Sequence, residues 1–277
     1  MRRQLSVVLT AAIAAATVAL PISSADAKPA GPKWYLALGD SLAAGYQPTT
    51  GDDKTGGYVG GALDMLREQH RGVQLTNLGC SGETTTTFLE GGKCDTKRSQ
   101  QDQALHFLKG RSHQQGVITI DLGSNDVDKC VTTAGIDMSC IGTGLTSIAT
   151  NLPSILQKLH AAAPNAEIVV LNYYNPFLAA YLLGPAGQVL AGQSAYLAGV
   201  VNGEIAQAAS TIDAPVADVA TAFENDDTTP VTTPFGTLPT NVARICEWTW
   251  MCTKQNIHPN DMGYAVMASA LAPYLRS

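Results

Sequence analysis

The stretch YLALGDSLAAGY, Tyr35 to Tyr46, places a serine just after an apolar run. The run KWYLAL, residues 33–38, is compact and ends at Gly39, which is typical of a buried strand. Ser41 follows two residues later. It is therefore either a residue that caps a helix after the strand or a nucleophile presented at the strand's end.

Four more segments have the composition of strands, and helical patterns separate them. The predicted strands are VQLTNL (73–78), GVITIDLG (116–123), AEIVVLNYY (166–174) and APVADVA (214–220). The predicted helices are residues 58–70, 99–110, 144–164, 192–210 and 261–275. This alternation indicates βαβ units and a parallel sheet covered on both faces. Ligands bind such sheets at the carboxyl ends of the strands, so Ser41, Gly82 and Asn125 are expected at one edge.

Two segments between these elements are unusual in composition. Residues 174–185, YNPFLAAYLLGP, are strongly apolar. They line an acyl pocket or meet a lipid surface, or they form the buried start of a helix, and we favour the helix. Residues 224–241 are rich in Thr, Pro and Asp, which predicts a long surface loop.

The first 27 residues have the features of a secretory signal. They begin with Arg2 and Arg3, continue with an apolar stretch over residues 5–20 and end in the A-x-A pattern of Ala25 and Ala27. Cleavage is expected before Lys28, so that residues 28–277 form the mature domain. The alternative is an uncleaved anchor helix, but the stretch is short for a membrane span.

Charge and cysteine content limit the class of protein. The net charge is −6 and no cluster of Lys or Arg is present, which argues against binding to nucleic acid or anionic membranes.

Six cysteines in an exported chain favour disulfides, and six cysteines allow 15 pairings. Proximity in sequence favours Cys80–Cys94, Cys130–Cys140 and Cys246–Cys252. Zinc is the alternative, but it would require clustered C-x2-C pairs, which are missing.

Four short motifs occur in a fixed order. They are GDSLAAG (Gly39–Gly45), NLGCSGET (Asn77–Thr84), LGSND (Leu122–Asp126) and HPND (His258–Asp261). The G-x-S-x-G elbow of α/β-hydrolases is absent because residue 43 is alanine. The four motifs together resemble the GDSL-type, or SGNH, hydrolase superfamily. With the signal sequence and the cysteines, the chain is similar to the secreted lipases and esterases of actinobacteria in this group.

The resemblance implies a fold and a set of site residues. The fold would be a three-layer α/β/α arrangement of flavodoxin-like type around a mostly parallel five-stranded sheet. Ser41 would be the nucleophile and His258 the general base. The main-chain N–H groups of Ser41 and Gly82 and the side-chain amide of Asn125 would form the oxyanion hole. No metal and no organic cofactor are implied.

One position departs from the pattern of this superfamily. The acid that orients the histidine usually lies three residues before it, and Gln255 occupies that position. Asp261 lies three residues after the histidine and is expected to cap the last helix. We therefore predict a Ser41–His258 dyad in which the main-chain oxygen of Gln255 accepts the Nδ1 proton of His258. Each predicted disulfide would then tie down a loop near a catalytic residue, or would simply stabilise an exported protein.

The resemblance leaves several activities open. We expect first a secreted carboxylester hydrolase that acts on acyl lipids, including phospholipids. The alternatives are a polysaccharide O-deacetylase of the same fold and a non-catalytic descendant that binds lipid or glycan. The expected partners are an ester or lipid substrate and, at most, transient contact with lipid surfaces. The protein is expected to be monomeric.

Overall fold

The central sheet has five strands, and each strand runs parallel to its neighbours. The structure is a computed structural model that describes residues 31–95, 97–234 and 236–275. The strands in chain order are β1 (Trp34–Gly39), β2 (Gln74–Asn77), β3 (Gly116–Asp121), β4 (Val131–Thr132), β5 (Gly135–Ile136), β6 (Ala166–Leu171), β7 (Val216–Ala217), β8 (Pro230–Thr233) and β9 (Gly236–Pro239). The five-stranded sheet has the order β2-β1-β3-β6-β7, and β4–β5 and β8–β9 are antiparallel hairpins.

Helices cover the sheet on both faces. They are α1 (Gly57–Gln69), α2 (Thr85–Glu90), α3 (Gln100–Leu108), α4 (Ser124–Val127), α5 (Met138–Ala162), α6 (Pro185–Ser210), α7 (Val219–Ala222), α8 (Thr240–Trp248), α9 (Met251–Lys254) and α10 (Asp261–Leu275). Two 3₁₀ helices span Asp128–Cys130 and Pro176–Leu183. Helix α1 packs on α10, and α5 packs on α3 and α6. The predicted three-layer α/β/α fold is confirmed.

The strand order fixes where a ligand site can form. Counting only the sheet, the order is 2-1-3-4-5, which is that of flavodoxin-like folds. From β1 the sheet is built outwards in both directions, with β2 on one side and β3 on the other. In such sheets a crevice forms between these two halves, at the carboxyl ends of the strands. Gly39 and Asp121, the last residues of these two strands, are paired in register. Residues that follow β1 and β3 therefore meet at this crevice.

Burial explains why β1 and β3 are almost continuously apolar. All six residues of each strand are buried, as expected for parallel strands covered on both faces. The core around them includes Leu36, Leu38, Ile118 and Ile120, none of which is exposed. The two strands thus form a rigid base for the loops at their ends.

Most predicted elements are present, with some different boundaries. The helix predicted over 144–164 begins six residues earlier, at Met138, where the side chain of Asp137 caps it. The strand predicted over 214–220 is reduced to Val216–Ala217. The predicted signal sequence, residues 1–27, lies outside the described residues. Among the described helices, none is both long and apolar enough to span a bilayer.

The two unusual segments fold more regularly than a loop. The interpretation of residues 174–185 as the buried start of a helix is confirmed in part. Pro176–Leu183 is a 3₁₀ helix that leads into α6, but Leu182 and Leu183 at its end are exposed. The prediction of a loop over residues 224–241 was wrong for its second half. That half forms the β8–β9 hairpin, and α8 begins at Thr240. The hairpin is mostly exposed, as predicted for a surface segment.

Candidate active site

The turn after β1 presents Ser41 at the crevice. Residues 41–45 form turns and not a helix, so Ser41 does not cap a helix. Gly39 has a φ of +129°, and a Cβ there would lie 2.1 Å from the main-chain oxygen of Asp121. Only glycine lets β1 approach β3 so closely at this point. The turn therefore depends on the glycine of the GDSL motif as well as on its serine.

Asp40 holds the shape of this turn. Its Oδ1 accepts a hydrogen bond from the N–H of Leu42 at 2.8 Å, and its Oδ2 accepts one from the hydroxyl of Tyr173 at 2.8 Å. Its own N–H donates to Oδ1 of Asp121 at 2.9 Å. These bonds lie beneath the nucleophile, in the buried interior. They fix the turn that carries Ser41 through the side chain and main chain of Asp40.

His258 reaches Ser41 from the loop before α10. Its Nε2 lies 2.8 Å from Oγ of Ser41, although 217 positions separate the two residues in the chain. The ring of Tyr46 lies against the imidazole, with ring centroids 4.3 Å apart. The loop is fastened by the N–H of Trp250, which donates to the main-chain oxygen of His258, and by the hydroxyl of Tyr174, which donates to the main-chain oxygen of Ile257. The imidazole is thus held within proton-transfer distance of the serine hydroxyl.

The partner of Nδ1 differs from the sequence prediction. The prediction that the main-chain oxygen of Gln255 accepts this proton was wrong. Nδ1 lies 2.8 Å from Oδ1 of Asn256. Gln255 ends helix α9 in the left-handed conformation, with φ 50°, so the chain turns there and brings the next side chain to the imidazole.

The amide of Asn256 is oriented by a second hydrogen bond. The main-chain N–H of His258 donates to the same Oδ1 at 3.1 Å. Because Oδ1 can only accept, Nδ1 carries the ring proton, and Nε2 is left as the acceptor that faces Ser41. An amide oxygen thus selects the tautomer that a general base requires. The sequence signal was an Asn two residues before the histidine, a position that the family pattern does not mark.

Burial keeps the imidazole neutral. It lowers the pKa of His258 to about 4, and the carboxylate of Asp52 opposes this shift only in part. Above that pH the imidazole is unprotonated, and Nε2 is free to act as an acceptor.

The predicted oxyanion donors differ in how close they lie to Ser41. Within the described residues, the N–H groups of Ser41 and Gly82 donate no hydrogen bond. Asn125 lies in the first turn of α4, and its Nδ2 donates one hydrogen to the main-chain oxygen of Glu83 at 3.1 Å. Among the described residues, the second amide hydrogen of Asn125 has no hydrogen-bond partner. Ser41, Asn125 and His258 line one cleft, whereas Gly82 is not among its lining residues.

Asp126 ties the second motif to the third. Its Oδ2 accepts from the N–H of Thr85 at 2.9 Å, and its Oδ1 accepts from the hydroxyl of Thr85 at 2.7 Å. The contact joins the start of α2 to α4, so the loop with Gly82 and the helix with Asn125 are held together. The LGSND motif predicted Asn125 as a site residue. The structure shows that the next residue, Asp126, holds α4 against the start of α2.

Three buried carboxyl groups lie close to the site. Burial raises the pKa of Asp40 to about 6 and that of Asp128 to about 7. Burial and the neighbouring Asp40 raise the pKa of Asp121 well above its usual value. The hydroxyl of Tyr58 donates to Oδ2 of Asp121. Sequence reasoning did not pair Asp40 with Asp121, because these two residues and the tyrosines that donate to them, Tyr173 and Tyr58, are far apart in the chain.

An apolar cavity adjoins the cleft of Ser41. Its volume is about 50 Å³, and it is partly open to solvent. The two spaces share Ser124, Asp128, Tyr173, Tyr174 and Pro176. The remaining lining is mainly apolar and includes Val127, Ile141, Phe177, Leu197 and Val201. A substrate held at Ser41 can therefore extend an apolar group into this cavity.

The three predicted disulfides are present. The bonds are Cys80–Cys94, Cys130–Cys140 and Cys246–Cys252. The first closes a segment that contains Gly82. The second joins the 3₁₀ helix after α4 to the start of α5, and the third joins α8 to α9, which precedes the loop of His258. Among the described residues, no group of His, Cys, Asp or Glu side chains could hold a metal ion.

Comparison with known proteins agrees with this geometry. The model of the GDSL-like Lipase/Acylhydrolase family matches residues 37–266, which include Ser41, Gly82, Asn125 and His258. A search of curated proteins gave no match.

Solved structures have the same fold at low identity. An extracellular lipase from Streptomyces rimosus is 22% identical over 86% of this chain and 99% of its own, with a TM-score of 0.52. A phospholipase A1 from Streptomyces albidoflavus is 17% identical over 88% of this chain and 98% of its own, with a TM-score of 0.52. A catalytic mutant of an acetylxylan esterase from Geobacillus stearothermophilus is 15% identical over 88% of this chain and 95% of its own, with a TM-score of 0.54. The family match extends over most of the chain, which therefore belongs to the GDSL-like lipase/acylhydrolase family.

Proposed function

We propose that the protein is a secreted serine carboxylester hydrolase that cleaves acyl esters of lipids. The observation that carries this proposal is the pair of 2.8 Å contacts made by His258, one from Nε2 to Oγ of Ser41 and one from Nδ1 to Oδ1 of Asn256. An activated serine beside an oriented neutral imidazole is the arrangement that acyl transfer requires.

The reaction follows from these positions. Oγ of Ser41 attacks the ester carbonyl carbon, and its proton passes to Nε2 of His258. The oxyanion accepts hydrogen bonds from the N–H groups of Ser41 and Gly82 and from Nδ2 of Asn125. Collapse of the tetrahedral intermediate breaks the ester C–O bond, and the imidazolium protonates the leaving alcohol. Water, deprotonated by His258, then releases the acid from the acyl-enzyme.

The apolar cavity supports a lipid ester as substrate. Its side chains would favour an acyl chain over a polar sugar ring, because burying unpaired sugar hydroxyls costs free energy. Export is supported by the signal-like residues 1–27 and by the three disulfides, which persist in oxidising compartments.

A panel of p-nitrophenyl esters of increasing acyl length tests the proposal, with Ser41→Ala as the matched control. We expect hydrolysis by the wild-type protein, faster with medium or long acyl chains than with acetate, and loss of turnover in the variant. Activity on acetate alone would favour the polysaccharide O-deacetylase. No turnover of any ester by folded protein would favour the non-catalytic binding protein.

A further inference from the structure

An exposed apolar face lies at the N-terminal ends of α5 and α6. We define it by Met138, Val189 and Tyr196, which are 61%, 62% and 74% exposed. Val189 and Tyr196 are two turns apart on one side of α6, and together with Met138 they line a shallow groove. A folded protein rarely exposes several large apolar side chains together unless that surface binds something.

The chain around this face carries no charge. No Asp, Glu, Lys or Arg occurs between Asp137 and Lys158 or between Glu167 and Glu204. Exposed helices normally carry charged residues on their outer side, and the outer side of α6 in this region instead carries Val189 and Tyr196. The apolar face is thus surrounded by uncharged residues on both helices.

The groove of the apolar face lies next to the cavity that adjoins Ser41. Leu197 lines both the groove of the apolar face and the cavity that adjoins Ser41. Ile136 lines the groove, and its strand partner Val131 lines the cavity. Apolar side chains therefore lie between the groove and the cavity beside Ser41.

We propose that this apolar face docks on a lipid–water interface of zwitterionic or uncharged lipid and delivers ester from it to the cavity. The proposal rests on the proposed function, since it names the physical form in which the ester is met. Apolar side chains that enter the interface gain the free energy of burial, and no charged residue of the face has to be dehydrated.

Charge determines which lipid surface fits. The charged residue at the border of the face is Asp137, which is exposed and negative, and the whole chain carries a net charge of −6. Anionic lipid attracts proteins through Lys and Arg clusters, and this face offers none. Zwitterionic phosphatidylcholine is therefore expected to bind it better than a surface rich in phosphatidylglycerol.

Vesicle sedimentation tests the proposal with protein that carries Ser41→Ala, so that the lipid is not consumed. The partition coefficient is measured on vesicles of phosphatidylcholine and on vesicles of equal parts phosphatidylcholine and phosphatidylglycerol. Val189→Glu and Tyr196→Glu are compared with Val231→Glu, because Val231 is also exposed but lies on the β8–β9 hairpin. Near-ultraviolet circular dichroism checks that each variant is folded.

We expect Val189→Glu and Tyr196→Glu each to lower partition onto phosphatidylcholine by about tenfold or more, with Val231→Glu close to the parent protein. We also expect weaker partition when phosphatidylglycerol is added. Equal losses in all three variants, stronger binding to phosphatidylglycerol, or a dimer in sedimentation equilibrium that Val189→Glu dissociates would overturn the proposal. Because the vesicle assay needs no hydrolysis, its failure is separate from a failure of the ester panel.

Discussion

Removing the side chain of Asn256 should slow the enzyme, because this side chain holds the imidazole for proton transfer. Its Oδ1 accepts from Nδ1 of His258 at 2.8 Å and from the main-chain N–H of the same residue at 3.1 Å. A hydrogen bond to a group that becomes charged contributes about 1.5–3 kcal/mol. The imidazolium of the transition state is such a group, so Asn256→Ala should lower kcat/KM by about 10- to 150-fold.

Two further variants separate this role from its alternatives. Gln255→Ala keeps the main-chain oxygen and changes an exposed side chain, so kcat/KM should change by no more than about twofold. Asn256→Asp places a carboxylate beside the imidazole and should raise the pKa of His258 from its value of about 4. The acid limb of the kcat/KM profile should move to higher pH, with activity at neutral pH at least that of the wild type.

The assay is steady-state hydrolysis of a soluble p-nitrophenyl ester from pH 4 to 9, with circular dichroism to check folding at each pH. A merely structural role for Asn256 would lower the melting temperature and leave the acid limb in place. Wild-type turnover by folded Asn256→Ala, together with an unshifted limb in Asn256→Asp, would refute the orienting role.

The remaining predictions concern pH, a disulfide and a buried carboxylate. Since burial lowers the pKa of His258 to about 4, kcat/KM should fall only as the pH drops through that value; a limb near 6.5, the ordinary histidine pKa, would contradict this. Replacing Cys80 and Cys94 by Ser opens a link between residues 14 positions apart and should lower the free energy of unfolding by about 3 kcal/mol in urea titrations; an unchanged midpoint would count against it. Tyr173→Phe removes the donor to Oδ2 of buried Asp40 and should cost about 1–3 kcal/mol in the same titration, whereas a neutral effect would show that water or another group takes its place.

The sequence predicts the parts of this molecule that depend on local pattern. Apolar runs ended by glycine locate β1 and β3, and the short motifs after them locate Ser41 and Asn125 at the same edge of the sheet. Close spacing was enough to pair the cysteines, because short loops bring their ends together easily. These inferences need only neighbouring residues and the rules of parallel sheets.

The rest depends on contacts between distant residues. Tyr173 donates to Asp40 across 133 positions, and no local pattern reports such a contact. The contact of Asn256 with His258 was not predicted, because it depends on the left-handed conformation of Gln255, which turns the chain there. Neither Asn nor Gln requires that conformation. The β8–β9 hairpin was mistaken for a loop because proline and threonine dominate it, although Val231 and Leu238 on its facing strands were a usable signal.

Covalent labelling tests the central claim, that Ser41 is a nucleophile activated by His258. The folded protein is treated with a fluorophosphonate ester, digested and mapped by mass spectrometry, beside Ser41→Ala and His258→Ala. One adduct per chain on the peptide that contains Ser41, absent from the first variant and at least about a hundredfold slower in the second, is the predicted result. Folded wild-type protein that takes up no label, or takes it up at another residue, or reacts at the same rate without His258, would contradict the account.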